Sequence, residues 1–222
     1  SDVSVDFAPG TVCAVMGPNG SGKSTLARTL IGDTALTMVS GDILLDDTSL
    51  THLPPYERAR RGVFYSPQSP PALPGITVQQ LLREAVPRDR MDSKKLLAAI
   101  ADAAAQLHIP HDLLSRSLND NFSGGERKKM EVLQALILAP RYIILDEIDT
   151  GVDVDAVGVI SHALATLHKT HPASTLILIT HYARIFSALT VDAAIVMRDG
   201  TVARRGDAAL VAAIDAHGYD AI

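Results

Sequence analysis

Nine consecutive residues constrain this chain more than any others: Gly17, Pro18, Asn19, Gly20, Ser21, Gly22, Lys23, Ser24 and Thr25. They fit the spacing G-x-x-x-x-G-K-[ST], and their flanks fit as well. Before them, Val12, Cys13, Ala14, Val15 and Met16 form an apolar run of strand length; after them, Leu26, Ala27, Arg28, Thr29, Leu30 and Ile31 suit a helix. Glycines let the backbone curl until successive N–H groups converge, which is what phosphate oxygens need. The helix that follows adds the positive end of its dipole. In such a loop Lys23 bridges the outer two phosphates and the Ser24 hydroxyl ligates Mg²⁺. A glycine-rich turn with no ligand could share the spelling, but the strand before and the helix after argue against that. A nucleoside triphosphate is the expected ligand.

The rest of the chain reads as an α/β frame for that loop. Residues 41–47 suggest a short strand running into a turn, residues 54–61 a helix opened by proline, and residues 63–66 another strand. Pro67, Pro70, Pro71, Pro74 and Gly75 then force a rigid, non-helical connector. From Thr77 to about Ser117 the pattern turns helical, with Leu81, Leu82 and Val86 on one face and Leu96, Leu97, Ile100, Ala104 and Leu107 at three- and four-residue spacing. This block interrupts the α/β pattern and is expected to be an inserted helical subdomain. Continuous apolar runs at 142–145, 175–179 and 194–197, separated by helical stretches, predict strands buried on both faces of a parallel sheet. Asp199-Gly200 supplies a hairpin turn near the end.

Composition adds bounds rather than an activity. A chain of 222 residues with net charge −5 and no basic block is expected to make one large domain and not to be a dedicated nucleic-acid binder. The single cysteine, Cys13, rules out an internal disulfide framework, suits a reducing cytoplasm and reads as a buried small apolar residue. No apolar run approaches a membrane span and no signal peptide is visible, so no direct membrane insertion and a cytoplasmic location are expected. The chain opens at Ser1, almost on top of the first core strand, from which an upstream segment is expected. His108 with His111 and His168 with His171 have ligand-like spacing, but Pro110 and Pro172 interrupt the pairs, and two ligands do not complete a metal site.

Two further stretches carry chemistry. Ile143-Ile144-Leu145-Asp146-Glu147 ends an apolar strand in adjacent carboxylates. At the carboxyl edge of a nucleotide-binding sheet Asp146 would hold Mg²⁺ through water, and Glu147 could orient and deprotonate an attacking water. A solvated strand end explains the same residues about equally well when they are taken alone. Ser123-Gly124-Gly125-Glu126 combines a capping box, Ser123 with Glu126, and two glycines at the mouth of a helix carrying Met130, Leu133, Leu136 and Ile137. The glycines cost helix stability, and they leave backbone N–H groups open to an anion.

Residues 17–25, Gln68, the signature at 123–126, the acidic strand at 142–147, Asp149 to Asp153 and His181 occur in the order of an ABC ATPase domain, and the chain resembles that family over nearly its whole length. The resemblance implies an ABC-type core at 1–75 and 142–222, with a small antiparallel part, and a helical subdomain at 76–141 within a single domain, 1–222. It implies that Gln68 senses Mg²⁺ and the γ-phosphate and that His181 contacts the γ-phosphate. It also implies that the loop from Asp149 to Asp153 faces the opposite subunit. The signature segment would bind the nucleotide held by another copy's phosphate loop, making pairing of two copies ATP-dependent. ATP as the nucleotide follows from the resemblance alone, since the only aromatic before the loop, Phe7, reads as core packing rather than an adenine stack.

Departures narrow the likeness. Phe122 opens the signature and Glu126 closes it; the connector reads Pro67-Gln68-Ser69-Pro70-Pro71-Ala72-Leu73-Pro74-Gly75-Ile76, and the tail ends in His217-Gly218-Tyr219. Together these resemble SufC, the ATPase of iron–sulfur cluster assembly, which implies SufB/SufD-like scaffold proteins as partners. The ATPase subunit of a membrane transporter shares every phosphate-site motif and is the main alternative. DNA-repair relatives carry coiled-coil or zinc insertions absent here, and a non-catalytic module would not need Lys23, Ser24, Asp146, Glu147 and His181 together. Lys128, two residues past Glu126, is expected either to pair with Glu147 and restrain it or to sit on a solvated face.

Overall fold

Strands buried on both faces must satisfy every backbone group through their neighbours, and the continuous apolar runs do this in one sheet. The computed structural model describes residues 3–87 and 89–219. In chain order its elements are β1 (Val12–Met16), α1 (Lys23–Leu30), β2 (Leu44–Leu45), β3 (Thr48–Ser49), α2 (Pro55–Arg60), β4 (Val63–Ser66), β5 (Leu73–Thr77), α3 (Val78–Ala85), α4 (Ser93–Gln106), β6 (Ser117–Leu118), α5 (Gly124–Leu138), β7 (Tyr142–Asp146), α6 (Val154–Thr170), β8 (Thr175–Ile179), β9 (Ala193–Arg198), β10 (Thr201–Gly206) and α7 (Ala208–His217). Single 3-10 turns at His111–Ser115 and Ala183–Phe186 join the longer elements.

The main sheet has the order β10-β9-β1-β8-β7-β4. Its strands run parallel except β10, which returns antiparallel through the Asp199-Gly200 turn. Successive side chains of β1 point to opposite faces, so Val12, Ala14 and Met16 join one core and Cys13 and Val15 another. The first core takes the inner faces of α3, α4, α5 and α6; the second packs beneath α1. Burial in that second core pushes the Cys13 thiol up to about 12, so it stays an inert apolar filler. Phe7 packs against the same cluster. The expected α/β architecture with a mostly parallel sheet holds.

Two local expectations hold and gain detail. The proline-rich connector is non-helical as expected, and its end runs into β5, paired antiparallel with β6 through Leu73–Leu118 and Thr77–Ser117. The register slips between those pairs, where Gly75 has φ 80° and gives its N–H to the Ser117 hydroxyl at 2.9 Å. The short strand expected to run into a turn within 41–47 is β2, and Asp46 and Asp47, with φ 48° and 61°, turn the chain into β3.

One buried cation fixes the far end of α1. Arg58 on α2 is only 3% exposed and donates to the carbonyls of Thr29 and Leu30 at 2.9 and 2.8 Å. Its remaining N–H groups reach the carbonyls of Leu53 and Thr51, both at 2.9 Å. The helix's negative end compensates a charge that no acidic side chain pairs among the described residues. No described helix is long and apolar enough to cross a membrane.

Candidate functional site

β1 leaves the sheet at Gly17, and the geometry there admits no side chain. Its φ is 146°, and a Cβ would stand 2.2 Å from the Met197 carbonyl at the end of β9. The loop then winds to Gly22, the N-cap of α1, which has φ 101° and offers no side-chain cap. The first N–H groups of α1 therefore remain available to an anion. Lys23, 4% exposed, folds back so that Nζ donates to Gly17 O at 2.9 Å and Pro18 O at 3.0 Å. Burial holds its pKa below the usual lysine value, opposed by the carboxylates of Glu147 and Asp146.

Adjacent parallel strands place the second cluster beside this loop. β7 ends at Asp146, two strands from β1, and the Ser24 hydroxyl donates to Asp146 Oδ1 at 3.1 Å. On the other side the Tyr65 hydroxyl of β4 donates to Oδ2 at 3.2 Å. Burial raises the Asp146 pKa, against the opposing hydrogen bonds from Ser24 and Tyr65. Glu147 follows with φ 50°, a left-handed turn held by its N–H on Ile179 O at 2.9 Å. Its carboxylate receives Gln68 Nε2 on Oε2 at 2.5 Å, and His181 Nε2 lies 3.3 Å from Oε1. Lys23, Gln68, Glu147, His181, Asn19 and Tyr219 thus line one cleft of about 780 Å³.

Lys128 behaves as neither alternative foresaw. It is 4% exposed, not solvated, and it does not bond to the Glu147 carboxylate. Its ammonium donates to Gln68 O at 2.6 Å and lies 3.5 Å from Pro67 O and Asp146 O. A desolvated ammonium needs several acceptors at once, and three backbone carbonyls supply them better than one carboxylate already held by Gln68 and His181. Lys128 therefore ties α5 to the Gln68 segment and to the end of β7.

The signature stretch lies apart from the cleft. The Ser123 hydroxyl accepts from Glu126 N at 3.2 Å, and Glu126 Oε2 accepts from Ser123 N at 2.7 Å, so the capping box is complete. None of Ser123, Gly124, Gly125 and Glu126 lines the phosphate cleft. A Cβ on Gly125 would meet nothing within 4 Å, whereas one on Gly124 would touch Gly151 O at 3.5 Å. Behind that contact, Asp149 is fully buried, accepting from Thr180 Oγ1 at 2.8 Å, and Asp153 caps α6 through Ala156 N at 2.8 Å.

Residues 1–150 match the family described as ABC transporter. The chain belongs to the ABC ATPase family. The cassette is 38% identical over 225 residues to a probable ABC transporter ATP-binding protein of Streptococcus pyogenes serotype M18, covering 99% of this chain and 87% of that protein. It is 37% identical over 227 residues to the probable ATP-dependent transporter SufC of Escherichia coli, covering 98% and 90%. Among solved structures, a nucleotide-free ATP-binding cassette from an ABC transporter superposes with TM-score 0.75 at 24% identity, covering 99% of this chain and 91% of that one. A dimeric cassette in a post-hydrolysis state bound to ADP and Pi gives 0.77 at 21% identity, covering 93% and 89%. These two establish the fold of the cassette.

Sequence reasoning missed two contacts. Tyr65 reaches Asp146 because β4 pairs with β7, and strand order has no local signature. Tyr219 returns to the loop from the end of the described chain, where the tail pattern was the single hint.

Proposed function

We propose that this ATPase works as a composite site between two copies and drives conformational change in a SufB/SufD-like scaffold for iron–sulfur cluster assembly. The observation that carries the catalytic part is the convergence of Gln68 and His181 on the Glu147 carboxylate, across one cleft from Lys23. The uncapped N–H groups at the start of α1 and the loop amides of residues 18–25 receive the phosphates. Lys23 leaves the carbonyls of Gly17 and Pro18 for the outer two phosphates. Ser24, Asp146 and the Gln68 side-chain oxygen form a hard oxygen set that suits Mg²⁺, and these residues would hold it. When bound, the ion supplies positive charge against the phosphate oxygens.

Glu147 acts as general base. It takes a proton from the water that attacks the terminal phosphorus, and ADP leaves as the bond to the bridging oxygen breaks. His181 supports the same carboxylate and contacts the γ-phosphate. Before turnover Gln68 must release Glu147, so the resting arrangement keeps the base occupied. The open helix mouth at Ser123, Gly124 and Gly125 completes the site of a second copy, since its own cleft does not reach it.

The likeness to SufC supports the scaffold assignment. A transporter subunit is the second reading, favoured by the likeness to the probable ABC transporter ATP-binding protein of Streptococcus pyogenes. Affinity capture of the tagged Glu147→Gln variant with ATP separates them. Recovery of SufB/SufD-like proteins supports the first reading; recovery of a permease with membranes overturns it.

A further inference from the structure

Tyr219 is a member of the phosphate cleft to which the ATPase reading gives no task. α7 ends at His217, and Gly218, with φ 73° and its N–H on Ile214 O at 2.8 Å, turns the chain back toward the sheet. Arg198 at the end of β9 receives it, donating from Nη2 to Tyr219 O at 3.0 Å. The ring packs against the larger core, and the phenol oxygen accepts the Gly17 N–H at 3.0 Å. This bond joins residues 202 positions apart.

Gly17 is hemmed in from both sides. The Met197 carbonyl closes the place of a side chain, and Tyr219 holds the N–H, so the peptide where β1 becomes the phosphate loop is fixed by β9 and the tail together. A phenol that accepts one hydrogen bond still carries its own proton. Burial raises the Tyr219 pKa, so the group stays neutral beside a polyanion. Among the described residues that proton has no acceptor, and Tyr219 forms part of the cleft wall with Asn19, Lys23, Glu147 and His181. Tyr219 thus shares one cleft with Lys23, Glu147 and His181, the groups the ATPase reading sets around the outermost phosphate.

We propose that Tyr219 is a positioning residue of the nucleotide site, fixing the first peptide of the phosphate loop through Gly17 and directing its own O–H to the outermost phosphate. The inference rests on the ATPase reading. It makes the tail a determinant of ATP against ADP discrimination, because only ATP presents that outermost phosphate.

The test is Tyr219→Phe, which keeps the ring and its packing and deletes one oxygen. Binding of fluorescent N-methylanthraniloyl analogues of ATP and ADP is titrated with Mg²⁺ against wild type. The ATP analogue is expected to weaken about tenfold and the ADP analogue about threefold or less. KM for ATP rises more than kcat falls. A variant whose ATP-to-ADP affinity ratio matches wild type overturns the assignment. So does a variant that melts well below wild type without nucleotide, since the oxygen would then hold the fold rather than the site. A wild-type chain that binds neither analogue overturns the ATPase reading instead.

Discussion

The molecule contains two glycine-rich helix mouths, and they are finished in opposite ways. At α1 the chain itself braces the loop that leads into the mouth: Lys23 covers two loop carbonyls, Tyr219 takes the Gly17 N–H, and Met197 fills the space a side chain would need. At α5 the side chains satisfy only the helix cap, through Ser123 and Glu126, and leave Gly125 facing nothing within 4 Å. The first mouth is braced from within, while the N–H groups at the start of α1 stay available to an anion. The second is complete as a helix and empty as a surface, which is what a group meant for another molecule's phosphate requires. A glycine kept where no neighbour demands it points outward, to something that approaches.

That contrast can be broken experimentally. Glu147→Gln gives the largest effect: turnover falls by about a hundredfold or more, while nucleotide still binds and holds the two unlike mouths of paired copies together. Size-exclusion chromatography with ATP should show the pair, and rapid hydrolysis by this variant would remove Glu147 from the role of base. Lys23→Ala strikes the α1 mouth alone, with ATP affinity expected to fall about a hundredfold by calorimetry. Gly125→Val strikes the open mouth alone. Nucleotide affinity of the single copy should hold within about twofold, yet turnover should drop about tenfold, because the new side chain meets only what another copy brings. Equal loss of binding and turnover would erase the distinction between the mouths.

Smaller effects sharpen it. Ser123→Ala removes the cap without touching the glycines and should lower unfolding free energy by about 1 kcal/mol in denaturant titrations. Glu131, on α5 behind the same mouth, has its pKa raised by burial, against hydrogen bonds from Asn119 and Gln134. A folded-state pKa above the unfolded one gives stability at low pH that disappears as pH rises through the folded value. Glu131→Gln does not suffer that loss, so it should gain on wild type by about 0.5 kcal/mol between acid and neutral pH, measured by urea melts.

Which parts of this were readable in advance follows from the range of the interactions. β1, β7, β8 and β9 were visible because strands buried on both faces are continuous apolar runs. The loop at 17–25 and the cap at Ser123 were visible because they are local in sequence. β5 and β6 were not, since their pairing joins short extended pieces about forty residues apart and one of them contains Pro74. Lys128 was misread because charge and spacing suggested a carboxylate partner or a solvated face, whereas the buried ammonium gathers several carbonyls at once. Tyr65 and Tyr219 act across strand order and chain return, which no window of sequence contains.

Arg58 gives α1 a mechanical character. With its front end shaped by the phosphate loop and its back end bolted to the carbonyls of Thr29 and Leu30, the helix is a rod clamped to the segment at Thr51 and Leu53. At about 1.5 Å per residue, this eight-residue helix sets the clamp on Thr51, Leu53 and α2 about 12 Å, roughly two turns, behind the phosphate loop. The segment at Thr51 and Leu53 is thus tied to the helix that leaves the phosphate loop, although neither residue lines the cleft.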